Sequence, residues 1–277
     1  MKIIFLDADG TLLHHEGFIP QSALQACQLA QRNGHKIVLC TGRQKVEVYG
    51  DMLKLDYDGM ITGSGAHVEV NHQLLEERTF SKEQLQVLLE YMHKNDIDAI
   101  FETTEGLVGN QKTYDHLDQM IQKQCKHLSP ELFAKHGLVQ VQHNLKVTDA
   151  ILEYPVNKIS FLESDISYQE IYDALHRQFD LVPATFAPFG KESGEISEKT
   201  ITKATGMQSI LNYFDKSAED AIAIGDGFND LCMFEVAKIS VAMGNAPIEV
   251  QKKADRVTTS LDNNGIYNAF IVLGLIE

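Results

Sequence analysis

The segment Phe5-Leu6-Asp7-Ala8-Asp9-Gly10-Thr11-Leu12 constrains the fold more than any other. Four apolar residues, Ile3 to Leu6, run straight into two aspartates one residue apart. A short run that is apolar at every position suits a strand buried on both faces of a parallel sheet. The C-terminal ends of such strands line the ligand crevice of an open α/β sheet. Two carboxylates at that edge are costly without a counter-charge. Mg2+ is a natural one, because it takes oxygen ligands and is held by one or two carboxylates together with substrate phosphate and water. Asp-Gly pairs also make turns, and the octapeptide alone admits that reading; distant segments decide between the two.

With 277 residues the chain is long enough for one large or two modest domains, and 44% hydrophobic residues suffice for a packed core. Its 39 acidic against 24 basic side chains give a formal charge of −15. That balance argues against nonspecific binding to nucleic acid or to an anionic membrane surface. It leaves room for a small anionic ligand wherever a metal and a lysine invert the local field. Cys27, Cys40, Cys125 and Cys232 are scattered without a CxxC pair, so neither a disulfide framework nor a zinc site is expected. With no signal-like leader and no long apolar span, the expectation is a cytoplasmic protein. Oligomeric state is not legible.

The first third alternates strands and helices. Gln21 to Arg32 has helical apolar spacing and stops at Asn33-Gly34. Lys36 to Cys40 is a second apolar strand running into Thr41-Gly42-Arg43, with a helix expected from near Lys45. Gly59 to Thr62 is a third strand, and Ala66 to Val70 with Leu74 to Arg78 form a hairpin turning at Asn71-His72. The middle reads as a compact α/β insert: helices at Lys82 to Asn95, Tyr114 to Cys125 and Tyr168 to Gln178, and strands at Asp98 to Glu102, Lys158 to Leu162 and Leu181 to Phe186. Thr79-Phe80-Ser81 is the outgoing hinge, and Pro188 to Gly194 has linker composition. Alternation then resumes: a helix over Thr200 to Tyr213, a strand over Ala221 to Ile224 ending in Gly225-Asp226-Gly227-Phe228-Asn229-Asp230, and short units at Ile239 to Ala242, Pro247 to Lys253 and Gly265 to Leu273. The fold class expected is α/β: a Rossmann-like three-layer core with a mainly parallel sheet, formed by residues 1–79 and 188–277, plus an inserted α/β cap over 80–187.

Three strand ends thus carry polar residues: Asp7 and Asp9; Thr41, Gly42 and Arg43; and Asp226, Asn229 and Asp230. In a parallel sheet such ends share one edge. A helix start near Thr202-Lys203 adds an ammonium. Carboxylates, a hydroxyl, an amide and a cation together suit a phosphoryl group held by Mg2+.

These motifs resemble the haloacid dehalogenase superfamily, most closely its Cof-type, type IIB branch. FLDADGTLL is similar to the first motif and LCTGR to the second. Lys203 falls where the third is expected, and AIGDGFNDLCMF is similar to the fourth; VAMGNAPIEVQKKADRVT downstream has the branch's character. The likeness covers roughly residues 1 to 78 and 190 to 277. The chain departs from the pattern at Ser64, Thr202 and Ala204, where Asn, Ser and Gly are usual, which keeps Lys199, and more remotely Lys191, in play beside Lys203.

The resemblance implies a Mg2+-dependent phosphatase acting on small phosphorylated metabolites, sugar phosphates among them. Asp7 would be the nucleophile that forms an aspartyl-phosphate. Asp9 would be the general acid and then base, its backbone carbonyl also on the metal. Asp226 and Asp230 would complete the metal set with Asp7. Thr41, the Gly42 amide and Asn229 would bind phosphate, and Lys203 would neutralise charge on the transferring group. Arg43 reads better as a structural ion pair than as a phosphate ligand. The inserted cap would select the substrate. Phosphotransfer to a sugar hydroxyl, as in a phosphomutase, and a non-catalytic regulator that binds a phosphometabolite stand as alternatives.

Overall fold

The computed structural model describes every residue except Thr185 and the side chain of Lys135. The first segment contains β1 (Ile3–Leu6), α1 (Gln21–Arg32), β2 (Lys36–Cys40), β3 (Gly59–Thr62), β4 (His67–Val70) and β5 (Gln73–Glu77). The middle contains α2 (Lys82–Lys94), β6 (Ala99–Thr103), β7 (Gly106–Gly109), α3 (Gln111–Cys125), α4 (Pro130–Lys135), α5 (Gly137–Asn144), β8 (Leu145–Val147), β9 (Lys158–Phe161), α6 (Tyr168–Leu175), β10 (Phe179–Pro183) and β11 (Gly194–Glu198). The last segment contains α7 (Lys203–Tyr213), β12 (Ala221–Gly225), α8 (Leu231–Val236), β13 (Ile239–Ala242), α9 (Ile248–Gln251), β14 (Arg256–Val257) and α10 (Gly265–Val272).

Two compact units result, one from Met1–Arg78 with Thr200–Glu277 and the other from Thr79–Lys199. The first is the expected three-layer α/β core. Its eight strands run in the order β14-β13-β12-β1-β2-β3-β4-β5. They are parallel from β14 to β3, and β4 and β5 close the sheet as an antiparallel hairpin. All four residues of β1 are fully buried, because alternate side chains serve opposite layers. Ile4 and Leu6 pack with α1 and α10, whereas Ile3 and Phe5 pack with α7 and α8. The chain leaves β1 to build β2 on one side and later returns to lay β12 on the other. The ends of β1, β2 and β12 therefore meet where the strand order reverses, which is where open α/β sheets bind ligands.

Local chemistry explains the boundaries. Gly34, at φ +84°, ends α1: its N–H donates to the Gln31 carbonyl and the His35 N–H to that of Ala30. Asn71 and His72 both adopt positive φ in the expected two-residue hairpin. The helix expected near Lys45 is absent. Two 3-10 turns, Lys45–Glu47 and Gly50–Lys54, take its place, because Gly50 sits at φ +62° and breaks the segment.

The second unit has a sheet in the order β10-β11-β9-β6-β7-β8, antiparallel except for the β7–β8 pair. Leu85, Leu88, Phe101, Ile159 and Phe161 pack on the face of the sheet that α2 and α6 cover; Ile100, Leu117, Leu138 and Leu145 pack on the other, with α3 and α5. The expected return of the chain at residue 188 is corrected here. The supposed linker enters β11, which pairs with both β9 and β10, so the unit extends to Lys199. Gly194 looks like a linker residue, but Phe161 packs where its Cβ would stand, 2.4 Å from the Phe161 Cζ. Of the expected strand Leu181 to Phe186, β10 covers residues to Pro183, and Thr185 lies outside the described residues.

One glycine positions the start of α7. Gly65 has φ +110°, and a Cβ there would lie 2.1 Å from the Thr202 carbonyl oxygen. Gly65→Ala is therefore expected to destabilise the protein by about 2 kcal/mol or more, from strain plus displaced backbone. Urea denaturation of the two proteins checks this, and an unchanged midpoint would refute the close approach.

Candidate active site

The end of β1 delivers Asp7, whose N–H still bonds the Ile224 carbonyl of β12 at 3.0 Å. The end of β12 delivers Asp226 and the turn that carries Asp230. Asp230 is fully buried, and its Oδ2 accepts from the backbone N–H groups of Asp226 (3.0 Å) and Gly227 (2.9 Å). Gly225 is required beside it, since a Cβ there would stand 2.4 Å from Asp230 Oδ2. Thr202 caps α7, accepting from the Thr205 N–H, and so sets Lys203 as its first residue.

Lys203 joins these segments. It is 1% exposed; its Nζ donates to Asp7 Oδ1 at 2.5 Å and to Asp230 Oδ1 at 2.7 Å. Burial alone would depress its ammonium, but the Asp7 and Asp230 carboxylates override this and hold it above the ordinary lysine value. The competing lysines belong to the other unit and have partners within it: Lys199 bonds the Arg177 carbonyl at 3.1 Å, and Lys191 is an exposed side chain beside Glu192.

One oxygen from each of Asp7, Asp226 and Asp230 lies within 4.8 Å of the others. Burial pushes the Asp7 carboxyl up to about 7; Lys203 works against that and Asp230 adds to it. Burial likewise pushes Asp226 up to about 6, opposed by the hydroxyl hydrogen bond from Thr11 and reinforced by Asp230. Three carboxylates thus face one ammonium. The donors are all oxygen, and the excess negative charge is what a hard divalent cation would neutralise.

Asp9 does not join that carboxylate cluster. Its side chain is 57% exposed, and both its oxygens accept from Arg43: Oδ2 from Nε at 2.8 Å and Oδ1 from Nη2 at 2.7 Å. Arg43 is thus an ion pair, as expected, with a partner the sequence did not reveal. Thr41, at the end of β2, is buried, and its Oγ1 accepts from the Arg43 N–H at 3.1 Å. Gly42 opens on the same region, since a Cβ there would lie 3.4 Å from Ser64 Oγ and 4.0 Å from Asn229 Nδ2. Ser64 itself sits at φ +57°. His14, in the turn after the first motif, stacks on Phe18 and reaches Asp262 at 3.2 Å, and joins no acidic cluster among the described residues.

Two positions had no role assigned from sequence. Thr11 Oγ1 donates to Asp226 Oδ1 at 3.0 Å. Asn245 donates to the Gly10 carbonyl at 2.8 Å and to Asp226 Oδ2 at 3.3 Å, while its Oδ1 accepts from the Leu261 N–H at 3.0 Å. Both occur within quoted motifs, but the contacts span 215 and 19 residues to Asp226, a separation that no local pattern reports. All four cysteines are free, and among the described residues no helix is long and apolar enough to cross a membrane.

The family model for haloacid dehalogenase-like hydrolases matches residues 4–270. The chain is 25% identical to the Bacillus subtilis 5-amino-6-(5-phospho-D-ribitylamino)uracil phosphatase YwtE, covering 96% of both chains. It is 25% identical to a solved HAD subclass IIB sugar phosphatase, BT4131, covering 100% of both, with a TM-score of 0.76. A Geobacillus kaustophilus protein of 24% identity shares the fold at a TM-score of 0.83, covering 99% of both chains. Strand order, motif positions and this end-to-end likeness agree: the chain belongs to the haloacid dehalogenase-like hydrolase family, in its type IIB branch, and is a phosphoric monoester hydrolase.

Proposed function

We propose that the protein is a Mg2+-dependent phosphatase that hydrolyses small phosphorylated metabolites, sugar phosphates among them, through an aspartyl-phosphate on Asp7. The observation that carries this reading is the buried Lys203 bonded to Asp7 inside a cluster of three carboxylates. Lys203 engages Asp7 Oδ1, which fixes the carboxylate and leaves Oδ2 as the oxygen that attacks phosphorus. As that bond forms, the ester P–O bond breaks, and Asp9 gives a proton to the departing alkoxide. Asp9, now a carboxylate, takes a proton from water as the water oxygen attacks phosphorus and the Asp7–phosphorus bond breaks. Asp9 ends protonated and inorganic phosphate leaves.

Asp7, Asp226 and Asp230, with the Asp9 backbone carbonyl, would hold Mg2+, which when bound offsets repulsion between carboxylate and phosphate dianion. Two like charges about 4 Å apart repel by roughly 4 kcal/mol at an effective dielectric near 20, enough to cost about a thousandfold in rate. Asp230 has both oxygens engaged already, by Lys203 and by two backbone N–H groups, so it anchors Lys203 as well as contributing charge. Thr41, the Gly42 amide and Asn229 would receive phosphate oxygens, and Lys203 would stabilise charge on the transferring group. The unit Thr79–Lys199, inserted between two stretches of the core, would select the substrate. YwtE and BT4131 are each named for a phosphatase activity, which supports a phosphorylated metabolite as substrate.

Asp7→Asn is expected to abolish hydrolysis of a chromogenic phosphate monoester, with circular dichroism and thermal unfolding close to the parent. Substantial turnover by the folded variant would reject the covalent route. A chelator should likewise remove activity, and Mg2+ restore it.

The raised carboxyls also give a pH test with an unusual sign. With Asp7 near 7 and Asp226 near 6 in the fold, against 3.8 when unperturbed, the metal-free folded state binds more protons than the unfolded chain. These two groups therefore cost stability progressively as pH rises from about 4 to 7, and the cost levels off above 7. Mg2+ competes with those protons. Its stabilisation should accordingly be large at pH 7.5 and small at pH 5, as read by the Tm difference with and without Mg2+. An equal or larger Tm gain at pH 5 would contradict the assignment.

A further inference from the structure

Asp9 is the one member of the acidic set that the core leaves mostly in solvent, and its side chain is nonetheless fixed. Arg43 reaches it across 34 residues with two hydrogen bonds, one to each carboxylate oxygen. A bidentate guanidinium–carboxylate pair sets the plane and rotation of the carboxylate as well as its position. Arg43 is itself anchored: its N–H donates to Thr41 Oγ1, its carbonyl accepts from the Gly63 N–H at 2.7 Å, and its Nη1 donates to the Glu47 carbonyl at 3.3 Å. An exposed surface pair contributes little to stability, so this degree of restraint on a solvent-facing carboxylate calls for a positional reason.

We propose that Arg43 is a positioning residue for Asp9. It aims the Asp9 carboxyl at the oxygen that leaves phosphorus, and it ties that aim to the loop of Thr41 and Gly42. The proposal rests on the reading of Asp9 as the proton donor. In the first step the ester P–O bond breaks as the Asp7 oxygen bonds phosphorus, and the Asp9 proton goes to the leaving oxygen. An alkoxide needs that proton, whereas a dinitrophenolate is stable without it. The parameter kcat/KM reports the path up to departure of the leaving group, so it isolates this step from the later attack by water.

The experiment compares kcat/KM for an alkyl phosphate and for 2,4-dinitrophenyl phosphate in the parent, Arg43→Ala, Arg43→Lys and Asp9→Asn proteins. Circular dichroism verifies the fold of each. General acid catalysis typically contributes about 100- to 10,000-fold. Arg43→Ala is expected to lose at least about ten-fold on the alkyl ester and less than about three-fold on the dinitrophenyl ester, a fraction of that full contribution. Arg43→Lys keeps the charge but not the fork, and should show the same selective loss to a smaller degree. Asp9→Asn should show the selective loss in full. If Asp9→Asn is selective and both Arg43 variants are not, the positioning role is overturned while the acid role stands. If Asp9→Asn is not selective either, the reading of Asp9 falls and the proposal with it. Equal losses on both esters in the Arg43 variants, with weaker inhibition by inorganic phosphate, would make Arg43 a phosphate ligand and also overturn the proposal.

Discussion

The buried ammonium of Lys203 is the contact on which the arrangement of the core's ligand edge depends. It draws together Asp7 from the end of β1 and Asp230 from the turn after β12. Neither carboxylate would tolerate such burial without a cation within hydrogen-bond distance. The ammonium is held in turn by the start of α7, which the Thr202 cap and the bare backbone of Gly65 allow to lie close to the sheet. Removing the charge while keeping the bulk would strand two buried carboxylates, so the segment that carries Lys203 belongs to the fold as much as to the chemistry.

One ammonium does not balance the acidic set. Asp226 completes a group of three carboxylates and is itself held by Thr11 from the first motif and by Asn245 from the loop after β13. Burial raises the Asp7 and Asp226 carboxyls, and the neighbouring Asp230 charge adds to it. A divalent cation at these carboxylates would offset the desolvation that raises them and the repulsion among them. Structural cost and expected metal affinity thus have the same origin. Asp9 stands apart from this economy of charge. It is solvent-facing, paired with Arg43 and outside the close carboxylate group, which suits the proton-donor role proposed for it.

Much of the core was legible in the sequence because its signals are short-range. A four-residue apolar run ending in Asp7, and similar runs ending in Thr41 and Asp226, give strands whose polar ends share an edge once the sheet is parallel. The helix at Lys45 failed because Gly50 and the flanking residues favour tight turns over a continuing helix. The linker reading of Pro188 to Gly194 missed the strand Gly194–Glu198, because a strand with one inward isoleucine and a glycine under a phenyl ring carries almost no periodic signal. The middle unit's β7, β8, α4 and α5 are also too short to carry a clear periodic signal. Within the site, residue types came from motifs, whereas partners did not. Sequence offered Lys199 beside Lys203 and suggested an ion pair for Arg43 without naming Asp9, since contacts across 34 or 196 residues depend on strand order and helix placement.

The stereochemical course at phosphorus tests the covalent role of Asp7 most directly. Hydrolysis of a phosphorothioate monoester made chiral by sulfur and two oxygen isotopes, run in water carrying the third isotope and followed by configurational analysis of the inorganic thiophosphate, counts the displacements. Two successive in-line displacements, first by Asp7 and then by water, give net retention, which is the expected result. Net inversion would mean that water attacks the substrate in one step, and would contradict an Asp7 phosphoenzyme.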